Sequence, residues 1–195
     1  SSINSFGEIV VAGNSAASNI EGFIYVAMNA FYQANVSFTS QNYGAGRYDR
    51  IRPILLRAQG CVIVIGAVLG GTAALMGPHL LRIYSSSPAV ISAGMIRLMI
   101  VCVPYALCGM MDVMVGSLRG LGYSVMPMLV SLMGACVFRL VWIATVFQRP
   151  AFHTIQTIYW SYPISWTITF LTHLACYIWA MHRLKQHLEK TLRAG

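Results

Sequence analysis

Residues 14–52 read NSAASNIEGFIYVAMNAFYQANVSFTSQNYGAGRYDRIR. An apolar run carries Asn14, Ser18, Glu21, Tyr25, Asn29 and Tyr32, then ends in a glycine-bearing loop rich in arginine. The steps between those polar residues are 4, 3, 4, 4 and 3. That spacing is helical, so the six side chains share one face. Gln33, Ser37 and Gln41 form an adjacent strip. The run has no charge from Gly22 to Gly46. A polar stripe on such a helix is costly in a bilayer unless it faces protein or a water-filled path. The stretch predicts a membrane helix in a bundle with a polar interior, as in a transporter.

Further uncharged runs cover Ala58 to Leu81, Gly120 to Phe138 and Pro150 to His182. About 20 apolar residues cross a bilayer as a helix. The chain is 57% hydrophobic and 9% charged, against about 25% charged in a soluble domain. These features predict an all-α, polytopic transmembrane bundle. Five spans are expected near 14–40, 53–76, 94–116, 124–147 and 158–181. The opening SSINSFGEIVVAG reads as the end of a sixth helix and a short loop. Residues 1–181 form the bundle in this reading, and 182–195 a basic amphipathic tail suited to the membrane surface.

Orientation follows from charge. The 41–52 loop with Arg57, the 117–123 loop and the tail together carry nine basic residues, whereas the opposite side carries only Arg82 and Arg149. The positive-inside rule makes the first side cytoplasmic, with the C-terminus inside. The net charge of +8 is thereby accounted for by topology. The basic residues form no continuous face, so nucleic acid is not an expected partner. Gly44 and Gly46 are placed to close the first span, and Pro53 sits in the first turn of the second. Ser87–Pro88 marks a helix start, and Pro104 a kink. Tyr159, Trp160, Tyr162 and Trp166 read as an outer aromatic band.

Few residues are equipped for chemistry. Cys61, Cys102, Cys108, Cys136 and Cys176 lie in apolar runs without CxxC spacing, as buried small hydrophobes do. The five histidines lack metal-ligand spacing, and HExxH, GxSxG and phosphate-loop motifs are missing from the sequence. Neither an enzyme nor a resident cofactor or metal is expected. Glu21 and Asp112 are the carboxylates inside spans. Each must be protonated, paired or wet. Asp112 shares a face with Tyr105, Cys108, Gly116 and Arg119. It is suited either to exchanging a proton or binding Na⁺, or to pairing with Arg119 or Arg139. Arg139 lies too deep to reach the surface and requires a partner. Arg97, nearer the outer end, is expected to snorkel or pair.

Two strings resemble the multidrug and toxic compound extrusion (MATE) family. SQNYGAGRYDRIR contains Gln41, Asn42, Gly44 and Gly46; GSLRGLGYSVMP contains Arg119, Gly120, Gly122 and Pro127. In that family an apolar helix ends in a Q-N-x-GAG loop followed by basic residues. A later helix ends in LRGLG and leads into a span with an internal arginine, here Arg139. The resemblance covers essentially the whole chain. It implies the second lobe of a two-lobe transporter, from the end of the seventh helix through the twelfth, with an N-terminal lobe as partner. It points to a bacterial plasma-membrane antiporter. Such a protein exports drugs or toxic organic cations against Na⁺ or H⁺ by alternating access.

Coupling acids in that family lie in the seventh and tenth helices. Asp112 matches the second by helix, but about one turn nearer the LRG motif. Asp112 and Glu21, with Tyr25, Asn29, Tyr32 and Gln33, are the expected coupling or substrate-binding residues; membrane lipid is an expected neighbour. The alternatives are a lipid-linked oligosaccharide flippase, whose cavity favours arginines, and a scaffold that uses the stripe only as interhelical glue.

Overall fold

A computed structural model of the chain describes residues 3–194. Residues 1, 2 and 195, the outer ends of the two expected regions, lie outside the described residues. A single 3₁₀ turn, Asn4–Phe6, leads straight into α1, Glu8–Gly44. Residues 8–13, read from sequence as the end of a preceding helix and a loop, therefore form the first turns of α1 itself. A short 3₁₀ turn, Tyr48–Arg50, leads into α2, Ile51–Arg82. The third span is composite. It runs from α3, Pro88–Arg97, through a π-helical turn, Leu98–Cys102, and a 3₁₀ turn, Val103–Tyr105, into α4, Ala106–Gly120. The fourth joins α5, Val125–Ser131, and α6, Phe138–Thr145, through a second π segment, Leu132–Val137. The last helix, α7, runs unbroken over Ile155–Ala194. The expected tail is thus a continuation of the final span.

Among the described residues four stretches are long and apolar enough to cross a membrane: Tyr48–Arg82, Pro88–Gly120, Val125–Thr145 and Ile155–Thr191. α1 has the length, 37 residues, but its polar stripe keeps it below the same apolarity. Its neighbours supply what lipid does not, because α1 packs on α2, α3 and α4. Along α4 it runs parallel: Met28 meets Gly109, Asn35 meets Gly116 and Thr39 meets Gly120. The α5–α6 span is peripheral, resting mainly on α7, and no residue of its most apolar window is buried.

Lipid gives helices no hydrophobic drive to associate, so close packing must do the work. α2 turns Gly66, Gly70 and Gly77 towards the third span. A Cβ on Gly70 would stand 2.5 Å from the Cys102 carbonyl oxygen, so only glycine permits this approach. Pro104 takes the expected kink, with φ −83° and ψ 18°, because it cannot donate to the helical ladder.

The two quoted loops close in the same way. Gly46 at φ 70° and Gly122 at φ 93° are left-handed, a conformation that favours glycine. Around Gly46, Arg47 N donates to Asn42 O at 2.8 Å and Gly46 N to Tyr43 O at 3.1 Å. Around Gly122, Tyr123 N donates to Leu118 O at 3.0 Å and Gly122 N to Arg119 O at 2.9 Å. Both are glycine-terminated helix ends. Gly120 has a different task, lying against Thr39 where a Cβ would be 2.6 Å from the Thr39 Cβ.

Candidate functional site

The polar stripe of α1 faces the third span and α7, and its contacts divide it into an N-terminal and a C-terminal part. Beside the N-terminal part Arg97 is buried, 5% exposed. Its Nη2 and Nε donate to one Glu21 oxygen at 2.5 and 3.1 Å, and its Nη1 donates to Asn14 Oδ1 at 2.9 Å. The Tyr159 hydroxyl donates to the same Asn14 oxygen at 3.3 Å. The Arg97 guanidinium carbon lies 5.5 Å from the Tyr159 ring centre and 5.2 Å from that of Tyr162. Glu21 is therefore neutralised inside the bundle. Of pairing and snorkelling, Arg97 pairs.

Tyr162 is shared. Its ring centre is 4.0 Å from the Arg139 guanidinium carbon, with Trp166 5.9 Å from that carbon. Arg139 Nε donates to Ser165 Oγ at 3.0 Å. Arg139 thus meets the expected need for a partner with aromatic faces and a hydroxyl; it makes no ion pair with a carboxylate among the described residues. The aromatic band is corrected accordingly. Tyr159 and Trp166 are buried, Tyr162 is half-buried, and only Trp160 faces outward at 51% exposure. Residues 159, 162 and 166 share a helix face, and two cations, the buried Arg97 and the half-buried Arg139, draw that face inward.

Beside the C-terminal part, α4 contributes Asp112. It is half-buried, and it neither accepts a hydrogen bond nor makes an ion pair among the described residues. Pairing with Arg119 or Arg139, one of the two readings of Asp112 from sequence, does not occur. Arg119 instead donates to the Tyr32 hydroxyl at 2.6 Å and lies 5.9 Å from that ring's centre. Tyr25, Tyr105 and Cys108 are near enough to sense the Asp112 charge. Tyr25 is 46% exposed; Asn29 and Tyr32 are half-buried, and Gln33 is exposed. The fold places Tyr25 within electrostatic reach of Asp112 and Gln33 off the stripe. Buried polar groups nearby hold helices together. Asn35 Nδ2 donates to Val113 O and Ser117 Oγ, both at 2.8 Å. Gln59 Nε2 donates to Met110 O at 3.0 Å.

The loop motif's polar side chains bond locally. Asn42 Nδ2 donates to Phe38 O at 2.8 Å and Gln41 Nε2 to Ser37 Oγ at 3.2 Å, both within α1. Gly44 has open space around its Cβ position. Among the described residues no three His, Cys, Asp or Glu side chains gather as metal ligands. Sequence reasoning did not foresee the Glu21–Arg97 pair. A signal for it existed. Both residues lie in the N-terminal half of spans running in the same direction, and so at similar depth.

Comparison with known proteins bears on this arrangement. The MatE family model matches residues 1–145. Among curated proteins none matches significantly. A solved structure described as a crystal structure of MATE in complex with MaL6 superposes with a TM-score of 0.81 at 16% sequence identity. The match covers 95% of this chain and 41% of that one. At that identity the likeness concerns the fold. The chain spans about two fifths of the length of the MATE chain it matches.

Proposed function

Because this chain belongs to the MatE family of membrane transporters, we propose that it forms one lobe of a cation-coupled antiporter exporting drugs or toxic organic cations. The observation carrying this reading is the contrast between the two carboxylates inside the bundle. Glu21 is neutralised by Arg97; Asp112 has neither an ion pair nor a hydrogen bond among the described residues. A carboxylate held in a bundle without a fixed counter-charge is costly, and such residues mark ion pathways. Asp112 is the coupling group in this reading, taking up Na⁺ or H⁺. Tyr25 and Tyr32 offer aromatic faces to an organic cation.

Alternating access by rocking of this lobe against a second one completes the mechanism, with the site near their interface. The basic bias, nine residues against two, supports a bacterial plasma-membrane protein with its C-terminus in the cytoplasm. A flippase cavity needs arginines free to contact pyrophosphate. Arg97 is committed to Glu21 and Arg139 lies against Tyr162, which favours the antiporter.

The test is export of a cationic dye from proteoliposomes of the intact protein under an imposed Na⁺ or pH gradient. Gradient-dependent export supports the proposal. Export absent under both gradients would leave the scaffold reading in its place.

A further inference from the structure

The end of the bundle that carries the two glycine-closed loops contains a cleft unrelated to Asp112. It has a volume of about 450 Å³, and its walls include Tyr43, Tyr123, Arg183, His187 and Lys190 over Leu121. Three segments far apart in sequence build it. The end of α1 contributes Tyr43, the turn closed by Gly122 contributes Tyr123, and successive turns of α7 contribute the basic residues. The aromatic wall is braced: Tyr123 packs on Trp179 with ring centres 5.8 Å apart, and the Arg183 guanidinium carbon lies 4.8 Å over Trp179. No carboxylate lines the cleft. The nearest on α7, Glu189, pairs with Lys185 at 3.9 Å.

Tyr123 also forms the edge of a second depression, an apolar groove of about 610 Å³ along the start of α5 that includes Val125, Met126 and Leu129. Val125 and Leu129 are 63% and 50% exposed. A basic pocket with aromatic walls thus shares Tyr123 with an apolar groove at the start of α5. Pocket and groove match the polar and apolar halves of a phospholipid.

We propose that this cleft binds the phosphate of an anionic phospholipid, whose acyl chain lies along the α5 groove. Arg183 and Lys190 supply charge-assisted donors to the phosphate, and Tyr123 sits at the glycerol level. Placing the lipid in the cytoplasmic leaflet rests on the orientation proposed above; the site itself does not. A bound lipid would tie the turn after α4 to α7.

The experiment uses the intact protein in nanodiscs containing brominated phosphatidylglycerol or brominated phosphatidylcholine, with quenching of Trp179 fluorescence as readout. Phosphatidylglycerol should quench at lower mole fraction than phosphatidylcholine, and Trp179→Phe should remove that difference. Lys190→Ala leaves the Trp179 contacts in place and should weaken the phosphatidylglycerol response about fivefold, leaving the phosphatidylcholine response unchanged. Equal quenching by the two lipids, or a Lys190→Ala variant that behaves as the parent, would overturn the site. Full reversal by millimolar inorganic phosphate would assign the cleft to a soluble anion and overturn the lipid. Both leaflets are open in a nanodisc, so an error in orientation would show separately, as accessibility of a C-terminal tag from outside intact cells.

Discussion

Arg97 and Glu21, 76 positions apart, meet inside the bundle with the Arg97 Nη2 2.5 Å from a Glu21 oxygen. Their side chains are 7% and 14% exposed. Removing one partner of a buried pair leaves an uncompensated charge, which costs more than the pair contributes. Glu21→Gln should lower stability by about 3 kcal/mol, measured by thermal unfolding in detergent. The double change Glu21→Leu with Arg97→Met should recover most of the loss. An unchanged melting temperature for Glu21→Gln would show that the pair has no structural role.

Asp112 should behave in the opposite way. Asp112→Asn breaks no ion pair or hydrogen bond among the described residues, so stability should stay within about 0.5 kcal/mol of the parent. Gradient-driven export by the intact protein should fall to the level of empty vesicles. Full export by the variant would remove Asp112 from the coupling pathway.

Neighbouring glycines on α2 give a packing test. Gly70→Ala forces a Cβ against the Cys102 backbone oxygen, whereas Gly71 has open space around it. Gly70→Ala should cost about 1–3 kcal/mol by overpacking. Gly71→Ala should be neutral, or stabilising by up to about 1 kcal/mol through helix propensity. Similar melting temperatures for the two variants would contradict the close approach of α2 to the third span.

Arg139 depends on a planar guanidinium. Lysine keeps its charge but loses the stacked geometry over Tyr162 and the donor to Ser165. Arg139→Lys should cost about 1–2 kcal/mol, read as a lowered melting temperature. Arg82→Lys, at an exposed position, should be silent. Equal stability of both variants would mean that charge alone satisfies the site.

Much of this protein is legible in its sequence. Uncharged runs and punctuation located the helices, because bilayer thickness and backbone satisfaction leave little else for such segments to be. Gly44 and Gly46 read as closing the first span, and of the two Gly46 takes the left-handed conformation that favours glycine. Helical spacing placed Asn14 to Tyr32 on one face. Spacing along one helix does not name the neighbour across it, and several readings failed there. Tyr159 and Trp166 read as part of an interfacial aromatic band but are buried, because Arg97 and Arg139 stand opposite them. Asp112 and Arg119 share a helix face, yet Arg119 turns to Tyr32 on α1.

The sequence alone determined that a polar stripe must be sheltered inside a helical membrane bundle, and which loops close its ends. Only the tertiary structure decided which carboxylate is paired. Glycine-permitted contacts bring α1 and α2 onto the third span, and a π-helical turn directly after Arg97 shifts the register of α4 relative to α3. Those contacts join Glu21 to Arg97 and leave Asp112 without a counter-charge, since depth and rotation of packed helices arise from side-chain fit between distant segments.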